Sequence, residues 1–61
     1  MATLTTKELD LVKAQLGEEQ NLVAKYKMYS ATTCDTVLKE QLNTIASKHQ
    51  NHFDRLATLL A

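Results

Sequence analysis

Proline is absent from this 61-residue chain, and glycine occurs once, at Gly17. With so few breakers, nothing in the composition interrupts long helices. Cysteine also occurs once, at Cys34, which excludes an intrachain disulfide framework and a cysteine-rich zinc clip. Cys34 leaves two readings, an unpaired structural thiol or a cross-link between two chains, and fits a reducing compartment. Tryptophan is absent, and the aromatic residues are only Tyr26, Tyr29 and Phe53. Charge of one sign is lacking too, with seven Lys and Arg against seven Asp and Glu. The half before Ala31 and the half after it are each balanced, so no basic patch favours a nucleic acid. No run approaches the ~20 apolar residues of a membrane span. The opening segment MATLTTKELD has no apolar signal-peptide region, so synthesis in the cytoplasm is expected.

What is present is helix-forming. Leu, Ala, Lys, Gln and Glu dominate, and Thr5-Thr6-Lys7-Glu8 reads as a capping box. From Thr6, the apolar residues Leu9, Val12, Leu16, Val23 and Tyr26 recur at helical spacing, widened on one side by Leu11, Leu22 and Tyr29. Gly17 and Met28 point roughly the other way. In the second half, Leu38, Leu42, Ile45, Phe53, Leu56 and Leu60 form a second stripe. Glu40, Ser47, Asn51, Asp54 and Thr58 lie opposite it.

A single continuous helix fails on phase. Extending the first heptad frame past Ser30 places Thr33, Val37, Glu40, Thr44, Ser47, Asn51 and Asp54 on the seam, and only Val37 is apolar. The phase resets between about Ser30 and Asp35, where Thr32 or Thr33 is expected to cap a second helix. The fold expected is therefore all-α: one domain over 1–61, an antiparallel hairpin with helices over about 6–30 and 33–60. A chain this short buries only about 60% of its unfolded surface, so its core needs support. Two hairpins packed face to face make a four-helix bundle, and a homodimer is the simplest arrangement.

Three polar residues interrupt the stripes. Glu19 sits near the centre of the first, His49 at the centre of the second, and His52 nearer its edge. Burying such groups is costly unless they are paired or bound to a metal. Folding about the expected turn places Glu19 level with Ala46, and His49 about 4.5 Å further along the axis. Gln15 joins the same interior layer. One carboxylate with two imidazoles, His49 and His52 being spaced i, i+3, suits Zn, Fe or Mn better than Ca or Mg. The plainer reading is a hydrogen-bonded polar layer that sets helix register. No catalytic residue emerges: Cys34 lies far from both histidines, Glu18 and Glu19 point apart, and no phosphate-binding loop is present.

The segment Leu38-Lys39-Glu40-Gln41-Leu42, with Ala46-Ser47-Lys48-His49-Gln50-Asn51-His52-Phe53 and Leu56, resembles the second helix of the small coat F family. Those are spore-coat-related proteins with a ferritin-like helical fold. The stretch from Leu16 to Tyr29, with Glu18-Glu19-Gln20 and Tyr26-Lys27-Met28-Tyr29, is similar to its first helix. The resemblance implies a ferritin-like bundle, a place in the spore coat and other coat proteins as partners. The wider ferritin-like group holds two irons with a glutamate from one helix and a Glu-x-x-His from the next. Glu19 matches the lone glutamate and His52 the histidine, but His49 stands where that motif has its bridging glutamate. The departure argues against oxygen chemistry. The expectation is thus a non-enzymatic assembly protein, with a ferritin-like di-metal protein as the alternative.

Overall fold

Helix α1, Thr6–Thr32, begins where Thr5 and Glu8 satisfy each other's backbone. The Glu8 N–H donates to Thr5 Oγ1 at 3.1 Å, and the Thr5 N–H donates to Glu8 Oε1 at 2.9 Å. The computed structural model describes residues 3–61, so Met1 and Ala2 of the segment read for a signal peptide lie outside it. Helix α2 spans Thr36–Ala57 and ends in a single 3-10 turn, Thr58–Leu60. The described residues form the expected all-α hairpin, and no helix among them is long and apolar enough to cross a membrane.

The turn differs from the expectation in an instructive way. α1 runs two residues further than expected, because the Thr33 N–H and the Thr32 hydroxyl both donate to the Tyr29 carbonyl at 3.1 Å. Neither threonine caps α2. Asp35 does so, accepting the Leu38 N–H at 2.9 Å, while Thr33 Oγ1 accepts the Asp35 N–H at 3.2 Å. A carboxylate at the N-cap also meets the positive end of the helix dipole, which a hydroxyl cannot. Asp35→Ala is therefore expected to cost about 1 kcal/mol. In a domain this small that lowers the melting temperature by roughly 4–8 °C. An unchanged thermal melt would show that α2 starts without this cap.

The turn 33–35 also sets the register. Residues whose numbers total about 68, twice the central position 34, share a height. His49 reaches Glu19 across the hairpin as expected, its Nδ1 2.8 Å from Glu19 Oε2. Leu16 falls near Phe53, Val12 near Leu56, and Tyr26 near Leu42.

Two helices side by side make one layer, 46 Å long, 17 Å wide and 11 Å thick. A single layer cannot enclose its stripes. Among the described residues only Val23 and Ala46 are buried apolar residues, with Ala46 just 2% exposed. Leu9, Val12, Leu16, Leu22, Tyr26, Leu42, Ile45, Phe53 and Leu56 are half-buried. Leu11, Tyr29, Leu38 and Leu60, read as stripe members, are exposed. Gly17 and Met28 face solvent as expected.

Candidate metal centre

Glu19 lies midway along α1 on the side turned to α2, and it is buried although it is a carboxylate. Its neighbours explain how it tolerates that position. Oε2 lies 2.8 Å from His49 Nδ1 and 3.5 Å from His52 Nδ1. Oε1 accepts from the Gln15 amide at 3.3 Å, one helical turn earlier. Both carboxylate oxygens are thereby engaged, which is what burial of a charged group demands. The structure brings together all four polar residues singled out from the sequence, but Gln15 and His52 are exposed and not interior as expected.

The two imidazoles differ. His49 is mostly covered, whereas the His52 side chain is 54% exposed and sits at the rim. Their rings meet edge to face at 5.6 Å, as i, i+3 residues on one helix face do. His49 is also stacked on Tyr26, with centroids 5.8 Å apart and planes only 7° from parallel. Tyr29 meets Tyr26 edge-on at 6.0 Å, and the Lys25 ammonium lies within 6.0 Å of both ring centroids.

Tyr26 was legible as a stripe residue but not as part of this centre. By height it belongs with Leu42, seven residues from His49. Side chains on a helix lean toward its N-terminus, however. In an antiparallel hairpin Tyr26 therefore leans away from the turn while His49 leans toward it, and the two rings close the gap. Helix direction, added to stripe position, is the signal that would have found it.

The hydrogen bond from His49 holds the Glu19 pKa below the ordinary carboxylate value, against the opposing effect of burial. The Gln15 amide and, when protonated, the His49 and His52 rings act in the same direction as the His49 bond. Folding thus favours the ionised carboxylate. Its contribution to stability is complete above the unfolded value, about 4.3, and is lost as pH falls through that value toward the folded one. Glu19→Gln is accordingly expected to be less stable than the parent at pH 7 and to trail it by a smaller margin at pH 3. Denaturant titrations at both pH values test this. Glu8, lowered by the Thr5 backbone N–H, titrates in both proteins and cancels. A gap that stays constant across the range would mean that the Glu19 charge is immaterial.

Each of Glu19, His49 and His52 offers a ligand atom within 4.8 Å of the other two, so the group can hold a metal ion. Cys34 is exposed at the turn, some 20 Å of helix from His49, and takes no part. Comparison with known proteins returns no matching family model, no curated protein and no solved structure.

Proposed function

We propose that this chain is a non-enzymatic assembly protein that pairs with a second copy through the open face of its hairpin, forming a ferritin-like four-helix bundle. The observation that carries the reading is the surface left uncovered. The hairpin exposes 4681 Å². A compact monomer of 6.9 kDa exposes about 4,000 Å² by the usual scaling of surface with mass. The excess, several hundred Å², is close to the ~800 Å² that each partner contributes to a standard interface. The half-buried stripe residues supply an apolar face of the matching kind. The resemblance to coat F proteins adds a setting, the spore coat, and other coat proteins as further partners. Sedimentation equilibrium at micromolar concentration is expected to give twice the chain mass, and a stably folded monomer would overturn the reading.

A second reading is favoured by one geometric fact, the convergence of two Nδ1 atoms on Glu19 Oε2. On that reading the centre binds Fe, Zn or Mn, and the assembly carries metal. Elemental analysis of protein purified without chelator tests it: His49→Ala is expected to lose the metal while keeping its helicity. The two readings are compatible, since the polar centre occupies one height of the hairpin and the stripe extends beyond it on both sides.

A further inference from the structure

We propose that the centre takes one divalent ion per chain through Glu19 Oε2 and the Nδ1 atoms of His49 and His52, with Tyr26 and Gln15 as positioning residues. This rests on the metal-binding reading and specifies it.

Two of the three donor separations are already close to those of a coordination sphere, and the third is under 4.8 Å. Four ligands placed tetrahedrally about zinc at 2.0–2.1 Å lie roughly 3.3 Å from one another. The two observed separations, 2.8 and 3.5 Å, bracket that value. An ion can therefore take the place of the Nδ1 protons with small movements of the heavy atoms. In the metal-free protein, Nδ1–H of His49 donates to the carboxylate and Nε2 holds the lone pair. On binding, that proton shifts to Nε2 and Nδ1 becomes the ligand. The ring stays neutral and no other proton acceptor is needed. Three protein donors leave a fourth position open, and the exposure of His52 puts it at the solvent rim.

The same inventory argues for a single ion. Paired ions sit about 3.5–4 Å apart and need carboxylates to bridge them. Among the described residues Glu19 is the only buried carboxylate, and Glu18, Glu40 and Asp54 are all exposed. Two imidazoles to one carboxylate favours zinc, cobalt(II) or nickel over manganese, magnesium or calcium.

The outer contacts hold the donors in place. The near-parallel stack on Tyr26 fixes the plane of the His49 ring, and the Gln15 amide anchors Oε1 so that Oε2 faces the histidines. Groups that orient a ligand in this way typically change metal affinity 10–100-fold when removed.

The test is calorimetric titration of the 61-residue chain with zinc, paired with histidine ¹⁵N–¹H correlation spectra. The expected result is saturation at one ion per chain, with Nδ1 of both histidines bound and the proton moved to Nε2. Tyr26→Ala and Gln15→Ala are expected to weaken binding 10–100-fold, and Tyr26→Phe to restore it, with far-UV circular dichroism reporting the fold of each. Failure to bind zinc, cobalt(II) or nickel overturns this inference, and failure to bind iron(II) and manganese(II) as well overturns the metal reading. Binding through Nε2, two ions per chain, or one ion shared by two chains overturns the donor set and leaves the metal reading standing. Unchanged affinity in Tyr26→Ala removes the positioning role.

Discussion

Leu42→Lys is expected to halve the mass of the particle in solution and to strip it of most cooperative structure at low micromolar concentration. Leu42 is half-buried in the single hairpin, one side covered and the other open, at the height of Tyr26. If two copies close over that face, the symmetry of the pair buries the residue twice. Completing the burial of a half-buried leucine is worth about 0.8–1.5 kcal/mol, so two copies together lose roughly 1.5–3 kcal/mol. At 1.4 kcal/mol per tenfold, the dissociation constant rises by about 10–10², before the further cost of desolvating the lysines. Asn51→Lys introduces the same charge on the outer face and is expected to leave the mass unchanged. The pair is decisive when measured by sedimentation at several concentrations. A parent protein whose melting temperature does not depend on concentration, with Leu42→Lys no different, would leave the hairpin a monomer.

Much of this architecture is written in the order of residue types, and the exceptions have identifiable causes. Both helices follow from the 3.6-residue recurrence of apolar positions, and the start of α1 follows from Thr5 and Glu8, whose reciprocal bonds involve only near neighbours. The centre was legible because Glu19, His49 and His52 are polar where their neighbours are apolar. The exact turn was not. It depends on which of several cap-prone residues between Ser30 and Thr36 wins, and the carboxylate of Asp35 outcompetes the threonines by a margin too small to read from the sequence. The exposure of Leu11, Leu38 and Leu60 was hidden for another reason. Periodicity reports which face of a helix is apolar, but not whether one neighbouring helix is wide enough to cover it. The exposure of Cys34 follows from the same shift of the turn, which places it between the two caps and outside any packed layer. Tyr26 illustrates the remaining gap, since its stack on His49 depends on the lean of side chains along two opposed axes.

Ala46→Leu should damage both the hairpin and its metal centre, and the coupling between the two effects is the informative part. Ala46 is 2% exposed, the most buried residue on the apolar side of α2, and it lies one turn before His49. A methyl group there lets the helices approach closely. Three more carbons have no room without splaying the helices, and such overpacking costs about 1–3 kcal/mol. For a domain of this size that is a fall of roughly 4–24 °C in melting temperature, at 4–8 °C for each kcal/mol. The splay also pulls His49 from Glu19. Their 2.8 Å contact spans the two helices, and at a separation nearer 4 Å neither a hydrogen bond nor a shared ion survives. Ala46→Gly provides the contrast. It costs about 1 kcal/mol through backbone freedom but adds no bulk, so the helices keep their spacing. Thermal melts and zinc titrations on the three proteins separate the cases. Destabilisation in both variants, with metal affinity lost only in Ala46→Leu, ties the centre to close helix approach at this point. Ala46→Leu melting at or above the parent temperature would mean that the helices stand further apart here than the burial of Ala46 indicates.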